Sequence, residues 1–424
     1  MPLTTFELSV RFFVQLLVIL AACQATGWLF AKIGQSKVVS EMIAGVLLGP
    51  SLFGWLLPGA SAWLFPKASM PILFATAQVG LVLYMFLVGV ELDVSLVRDR
   101  LRSAAVVSGA GIAVPFALGG LIAWATYAAP GLALFGAGVS VPQAVLFMGA
   151  AMSITAFPML ARIIHEQGLT KTALGTLALS AGSLDDAAAW CLLAVVLAAF
   201  KSEPSIALLA VGGGGLYLLF SLTALRKLLA PLGARVEREE GMSDGLFSLV
   251  LMILVAAAFV TDLLGIYAVF GAFLAGAAMP KGRFAAELRR RMHPLTVALL
   301  LPLFFVYSGL NTRVGLVSTA AVAGLSLVVL LAAILGKGVA CWGAARLAGV
   351  PPRDALGVGA LMNARGLMEL IILNIGLERG IIGPTLFTIM VLMAVVTTLM
   401  ATPIFERVYG ARDGRLAPEG IDFS

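Results

Sequence analysis

Long apolar runs separated by short polar connections constrain the fold of this chain more than any other feature. Hydropathy averaged over windows of about 19 residues predicts thirteen transmembrane helices. Only 12% of the residues are charged and 61% are hydrophobic, whereas soluble proteins carry about 25% charged residues. The pattern predicts an all-α integral membrane protein and leaves no basic patch for nucleic acid. The approximate bounds of the predicted helices are residues 7–31, 38–57, 70–90, 103–127, 142–164, 172–200, 204–226, 245–263, 265–280, 292–310, 315–345, 354–377 and 383–407.

The basic residues indicate how the predicted helices are oriented in the membrane. If the N-terminus lies outside, 21 of the 28 lysines and arginines fall in inner connections and five fall in outer ones. The other two, Lys337 and Arg365, lie within predicted helices. Because inner connections carry an excess of basic residues, we expect a multi-pass protein of the cell (inner) membrane with a cytoplasmic C-terminus.

An odd number of helices permits a specific internal symmetry. The chain could contain two six-helix repeats of inverted topology joined by one linking helix. The first helix of the first repeat would start outside, and the first helix of the second repeat would start inside. We therefore expect a transmembrane domain over residues 1–410. This domain is predicted to consist of a first repeat over 1–200, a linking helix and loop over 201–240, and a second repeat over 241–410. A short cytoplasmic tail over 411–424 is expected to follow it.

Two predicted helices at matching positions in the two repeats carry helix-breaking sequences. The fifth contains Pro158, which removes a backbone hydrogen bond in mid-membrane. The twelfth contains Asn363-Ala364-Arg365-Gly366 at a similar depth. Discontinuous helices at corresponding positions are typical of a transporter binding site, because their freed carbonyls and half-helix dipoles face a cavity.

Two adjacent aspartates, Asp185 and Asp186, lie in the middle of a run that carries no other charge between Thr172 and Phe200. A helix rises about 1.5 Å per residue, so both carboxylates lie near the middle of a hydrocarbon layer about 30 Å thick. A charge at that depth costs at least about 2.5 kcal/mol, and two neighbours of like sign repel each other. The pair is therefore expected to be functional.

Lys337 is the candidate partner of one aspartate. It lies nine residues, or about 14 Å along a helix, from the basic inner flank at Arg346. An ion pair at about 4 Å contributes about 4 kcal/mol at an effective dielectric constant of 20, which offsets much of the cost of burial. Adjacent helical positions point about 100° apart, so the two carboxylates must have different roles. We predict that Asp185 faces Lys337 and that Asp186 exchanges a proton for a cation, although the residues alone permit the reverse.

Other polar residues near the predicted breaks complete the candidate site. Ser153, Thr155 and Asn363 are expected to support the ion path. Arg365 and Glu369 are four residues apart on a helix, a spacing that suits either a structural ion pair or a role in the ion path. We predict no cofactor and no nucleotide site, because neither a phosphate-loop motif nor a metal-ligand spacing of cysteines occurs.

Three segments give the chain a specific resemblance. They are residues 151–162 (AMSITAFPMLAR), 183–190 (SLDDAAAW) and 363–377 (NARGLMELIILNIGL). Together they resemble the monovalent cation/proton antiporter-2 family, especially its cation/H⁺ exchanger branch. The resemblance implies a Na⁺/H⁺ antiporter-like fold and a homodimer, in which helices four to six and eleven to thirteen carry the ion against a dimerisation scaffold.

The chain departs from this resemblance in two ways. Plant members of the branch usually carry Asn-Asp where this chain carries Asp185-Asp186, and the paired form resembles electrogenic bacterial Na⁺/H⁺ antiporters. By that resemblance Asp186 binds the ion and Asp185 pairs with Lys337. Few residues follow Arg407, so we expect no nucleotide-sensing domain of the kind that gates glutathione-regulated potassium efflux relatives.

The predicted function is secondary active antiport of H⁺ for Na⁺ or K⁺ by alternating access, without enzymatic activity. Asp186, Asp185 and Thr155 are the expected ligands of the cation, and Lys337 is the expected counter-ion. Two protons per cation would make exchange electrogenic, and such exchange serves pH homeostasis. Two alternatives are a Na⁺-coupled organic-anion symporter of related fold and a non-transporting membrane sensor.

Overall fold

The described part of the chain is almost entirely helical. The computed structural model describes residues 4–32, 35, 37–91, 101–129, 132, 134–155, 157, 160, 163–164, 169, 172–200, 204–264, 268–365, 367–405 and 407–408. An isolated antiparallel bridge joins Phe135 to Ile382. Helices suit so apolar a chain, because a backbone in lipid must satisfy its polar groups internally.

The helices follow the predicted apolar runs, and each run overlaps at least one helix. In the first half of the chain they span Thr5–Ala31, Lys37–Leu48, Phe53–Leu56, Pro58–Leu64, Met70–Glu91, Leu101–Thr126, Val141–Ser153, Ala173–Ala199 and Pro204–Phe220. In the second half they span Arg226–Arg238, Asp244–Leu263, Ala268–Ala278, Arg283–Leu295, Leu301–Leu310, Ala320–Ala333, Ala340–Leu347, Pro352–Met362, Leu367–Glu378 and Pro384–Phe405. Wider π-helical turns over Ser221–Leu225, Thr296–Leu300 and Ile334–Val339 join three pairs of them, and Val314–Leu316 forms a 3₁₀ turn.

Among the described residues, nine helices are long and apolar enough to cross a membrane. The other predicted helices correspond to Val141–Ser153, Ala173–Ala199, Ala268–Ala278 and the two halves of the twelfth. The all-α membrane fold is therefore confirmed, while the number of crossings stays a prediction.

Two polar stretches are helical although hydropathy did not include them. Arg283–Leu295 buries Phe284, Leu288 and Met292, which are four residues apart and so share one helical face. The mean hydropathy of a window hides these apolar residues, because the arginines between them lower it. The tenth helix therefore starts earlier than residue 292, and the seventh continues beyond 226 through Arg226–Arg238.

The first predicted break occurs where the fifth helix passes the middle of its run. The helix Val141–Ser153, called the first broken helix below, ends well before the predicted bound at residue 164. Ile154 follows it with an extended backbone, φ −70° and ψ 132°. Pro158, on which the prediction rested, lies outside the described residues.

The second predicted break occurs in the twelfth helix. Its halves are Pro352–Met362 and Leu367–Glu378, called together the second broken helix. Residues 363–365 between them are not helical, and Gly366 lies outside the described part of the chain. Both discontinuous helices expected from the sequence are thus present.

The chain divides into two compact units. The first comprises Met1–Trp28, Ser40–Asp93 and Trp190–Arg313, and the second comprises Leu29–Val39, Val94–Ala189 and Val314–Ser424. The second unit contains most of predicted helices four to six and eleven to thirteen, which the resemblance assigned to the ion-carrying core. The predicted tail over residues 411–424 lies outside the described residues.

Each unit has a closely packed interior. In the first, a side chain at Gly276 would overlap the backbone at Phe86, so glycine lets these two helices touch. In the second, buried residues such as Leu177, Cys341 and Val358 belong to one apolar cluster. This cluster brings together the helices that carry the charged residues described next.

Candidate cation site

A lysine and an aspartate form a buried ion pair inside the second unit. Lys337 Nζ lies 2.8 Å from Asp185 Oδ2, and both side chains are at most 1% exposed. At this separation the Coulomb attraction is about 6 kcal/mol for an effective dielectric constant of 20. Burial of each charge costs several kcal/mol, so each group is tolerated here largely because the other is present.

The end of the first broken helix contacts both members of the pair. Thr155 Oγ1 donates a hydrogen bond to Asp185 Oδ2 at 2.5 Å, and Lys337 Nζ donates one to the backbone carbonyl of Ser153. The last carbonyls of a helix lack intrahelical partners and carry partial negative charge, so they favour a cationic group. The Ser153 hydroxyl bonds back to Gly149 O at 2.7 Å, within its own helix.

Lys337 belongs to the π-helical turn Ile334–Val339. Turns of this type are rare and frequently occur at functional sites. Gly336, the residue before Lys337 in this turn, lets the turn pack closely against Pro115. A Cβ at Gly336 would lie 3.2 Å from Pro115 Cα. The wider turn and the small residue together place the lysine inside the unit instead of at its surface.

Gly111 also contacts the pair, although the sequence did not single it out. A Cβ at this position would lie 2.7 Å from Cys341 Sγ and 3.8 Å from both Asp185 Oδ2 and Lys337 Cε. The glycine therefore leaves the space that Cys341 Sγ occupies beside the ion pair. Its signal in the sequence is that of a small residue in a membrane helix, which is too common at helix contacts to identify it.

Asp186 is fully buried one position after Asp185. Both lie on the helix Ala173–Ala199, so their side chains project about 100° apart. Thr155, which the sequence grouped with both aspartates, contacts Asp185. Asp185 Oδ1 has no hydrogen-bond partner among the residues that the structure describes. A buried acceptor of this kind suits a proton or a cation.

The second broken helix carries an ion pair of its own. Arg365 Nη1 lies 3.4 Å from Glu369 Oε2, and both side chains are fully buried. Asn363 is 4% exposed and lies beside the turn that holds Lys337, since a Cβ at Gly338 would be 3.9 Å from Asn363 Cγ. The predicted residues thus form two groups. One surrounds the Lys337–Asp185 pair at the first break, and the other is the Arg365–Glu369 pair at the second. Asn363 lies beside the turn of Lys337.

Thr398 was missed by the sequence prediction. Its hydroxyl bonds the backbone N–H and the backbone carbonyl of Arg365. The residue lies in the helix Pro384–Phe405, where it looks like one more polar residue in an apolar run.

The oxygen atoms around Asp185 suit a hard monovalent cation. Within the described residues no group of three or more His, Cys, Asp or Glu side chains could hold a metal ion. Carboxylate, hydroxyl and carbonyl oxygens are instead the ligands that Na⁺ and K⁺ accept. Buried charges beside two interrupted helices in a membrane protein define a secondary transporter.

Comparison with known proteins agrees with that class. The chain belongs to the sodium/hydrogen exchanger family, whose transmembrane domain matches residues 16–408. It is 39% identical to the Na⁺/H⁺ antiporter NhaS4 of Synechocystis sp., over 93% of this chain and 96% of that protein. It is 37% identical to cation/H⁺ antiporter 19 of Arabidopsis thaliana over 93% of this chain, and it spans 49% of that longer protein.

A solved structure has a similar fold. The sodium/proton antiporter MjNhaP1 of Methanocaldococcus jannaschii superposes with a TM-score of 0.63 and 15% identity, covering 95% of this chain and 97% of that one. The predicted family and the antiporter-like membrane fold are therefore confirmed. The relatives are transporters, so the chain belongs among transporters and not among enzymes.

Proposed function

We propose that this chain exchanges H⁺ for Na⁺ or K⁺ across a membrane by alternating access. The observation that carries the proposal is the buried contact of Lys337 and Thr155 with one oxygen of Asp185, beside Asp186 and at the end of a broken helix. The relatives named as Na⁺/H⁺ and cation/H⁺ antiporters support the same activity.

In the proposed site the two aspartates have different roles. Lys337 neutralises Asp185 while no cation is bound, and Asp186 supplies the carboxylate that an entering cation meets. Asp185 Oδ1, which has no partner in the described part of the chain, and the Thr155 hydroxyl complete the coordination. Protons and cation compete, because each reduces the same buried negative charge.

The remaining residues support the path of the ion. The backbone carbonyl of Ser153 holds Lys337 in place, and Asn363 contacts the turn next to it. Arg365 and Glu369 neutralise each other at the second break. Two protons per cation would move one net charge, which couples transport to the membrane voltage by about 2.3 kcal/mol per 100 mV.

The setting of the protein in the cell is part of the proposal. The distribution of Lys and Arg supports a cell (inner) membrane with the N-terminus outside. The second compact unit is the proposed moving core, in a homodimer that contributes to pH homeostasis. If a cysteine introduced at the C-terminus reacts with a label added outside intact cells, the proposed orientation is wrong. If cross-linking in membranes yields monomers alone, the proposed homodimer is wrong.

Everted vesicles with a pH-sensitive dye test the activity. Addition of Na⁺, Li⁺ or K⁺ to vesicles with the wild-type protein is expected to collapse an acid interior. Asp186→Asn should abolish the response, because the amide cannot exchange a proton for a cation. Asp262→Asn is the matched control, since Asp262 is exposed and should leave the response unchanged.

The pH dependence separates competition from a general effect of acid. If proton and cation share one site, the apparent KM for the cation should rise as pH falls, while the maximal rate stays nearly constant. A response to every cation that is the same in wild type and Asp186→Asn would contradict the proposal.

A further inference from the structure

The second broken helix leaves backbone groups without helical partners at its interruption. The first half ends at Met362 and the second begins at Leu367. Ala364 N still bonds back to Leu361 O at 3.1 Å, but Arg365 lies beyond this last turn. Backbone groups at membrane depth need partners, because no lipid atom can replace water for them.

One hydroxyl satisfies both backbone groups of Arg365. The Arg365 N–H donates to Thr398 Oγ1 at 3.1 Å. Thr398 Oγ1 in turn donates to the carbonyl oxygen of Arg365 at 2.7 Å. The same hydroxyl also lies 2.7 Å from Ala394 O in its own helix. A threonine hydroxyl carries one proton, so the two carbonyls share it. Thr398 is 1% exposed, so bulk water does not reach this contact.

The adjacent Thr397 shows what a buried threonine in this helix does without such a contact. It is fully buried, and its Oγ1 bonds Met393 O at 2.8 Å and Ala394 O at 3.2 Å, both in its own helix. Bonding back to a carbonyl three or four residues earlier is the usual behaviour of threonine in helices. The two threonines therefore match in type, helix and burial, and differ in their contact with Arg365.

The segment that Thr398 holds is linked to the ion pair by close contacts. Asn363, two residues before Arg365, lies against Gly338, the neighbour of Lys337. A Cβ at Gly359 would lie 2.6 Å from Gly338 O, so the helix before the interruption also packs on this turn. Movement of residues 363–365 would therefore change the surroundings of Lys337.

We infer that Thr398 is a positioning residue for cation transport. Its hydroxyl clamps the interrupted segment at Arg365, so that Asn363 and the turn of Lys337 keep the arrangement that a bound cation requires. The inference rests on the antiport activity proposed above. Because Thr398 acts on the shape of the cation site through the backbone of the interrupted segment, its loss should weaken cation affinity more than it lowers the maximal rate.

Four proteins in proteoliposomes test this role: wild type, Thr398→Val, Thr398→Ser and Thr397→Val. Valine keeps the β-branched shape of threonine without the hydroxyl, and serine keeps the hydroxyl. Thr398→Val removes both hydrogen bonds to Arg365 and should raise the apparent KM for Na⁺ or K⁺ about ten-fold, which corresponds to about 1.4 kcal/mol of cation affinity. Thr398→Ser should restore the wild-type KM, and Thr397→Val should retain it.

An unchanged KM in Thr398→Val, or the same increase in Thr397→Val, would overturn the inference. A wild-type protein that shows no cation-dependent proton movement would instead refute the proposed antiport. Hydrogen exchange tests the clamp without transport and without a variant. The Arg365 amide of the wild-type protein should exchange as slowly as amides in the adjoining helix Leu367–Glu378, and exchange at the rate of an open loop would also overturn the clamp.

Discussion

The two broken helices are stabilised at their interruptions by different chemistry. At the first, the ammonium of Lys337 bonds the Ser153 carbonyl and pairs with Asp185. At the second, the neutral hydroxyl of Thr398 bonds the backbone of Arg365, while the Arg365 side chain pairs with Glu369 in the half-helix that follows. The first break thus depends on charges from other helices, and the second is held by a neutral group.

This difference assigns different roles to the two breaks. A contact made by an ammonium and a carboxylate changes when a proton or a cation arrives, because the net charge at the contact changes. A hydroxyl clamp keeps its charge in either case. We therefore expect the first break to respond to ions and the second to provide a fixed support for it.

The largest expected effect comes from removing the charge at the first break. Lys337→Met leaves Asp185 buried without a counter-ion. The free energy of unfolding should fall by about 3–5 kcal/mol, and transport should be lost. Unfolding of the purified protein in detergent measures the change.

The double variant Lys337→Met with Asp185→Asn is the control for this prediction. It removes both charges, so most of the lost stability should return while transport stays absent. A single Lys337→Met variant as stable as wild type would show that the pair does not hold the first break.

A smaller effect is expected from filling the space beside the same ion pair. Gly111→Ala places a methyl group 2.7 Å from Cys341 Sγ and close to both charges. Overpacking of this kind costs about 1–3 kcal/mol of stability. The unfolding free energy should fall accordingly, and the apparent KM for the cation should rise.

Gly109→Ala, two positions earlier in the same helix, is the matched control for Gly111→Ala. A Cβ at Gly109 would meet no described atom within 4 Å, so alanine there should stabilise the helix by about 0.5–1 kcal/mol. If both substitutions had the same effect, close contact at Gly111 would not be the cause.

Much of the first break could be predicted from the sequence, because charge is rare in this chain. Asp185, Asp186 and Lys337 stand out in apolar runs, and the distance of Lys337 from Arg346 places it at the depth of the aspartates. The hydropathy windows also found the helices that carry them. They missed the helix Arg283–Leu295, because its buried residues alternate with arginines.

The contacts of neutral residues could not be predicted in the same way. Thr397 and Thr398 are adjacent and both buried. Only the approach of the interrupted segment at Arg365 gives the latter its partner outside the helix. Gly111 is one of 46 glycines, and its role depends on which side chains occupy the space opposite. Such roles arise from tertiary packing, which a local pattern does not contain.

Proton release from the purified protein tests most directly whether the first break, and not the second, exchanges protons for cations. Addition of Na⁺ or K⁺ to wild-type protein in weakly buffered detergent solution should acidify the medium. The double variant Arg365→Met with Glu369→Gln removes both charges of the buried pair at the second break, so neither is left without a partner. It should release as many protons as wild type, and Asp186→Asn should release far fewer. Release that is lost in the double variant and retained in Asp186→Asn would contradict the assignment.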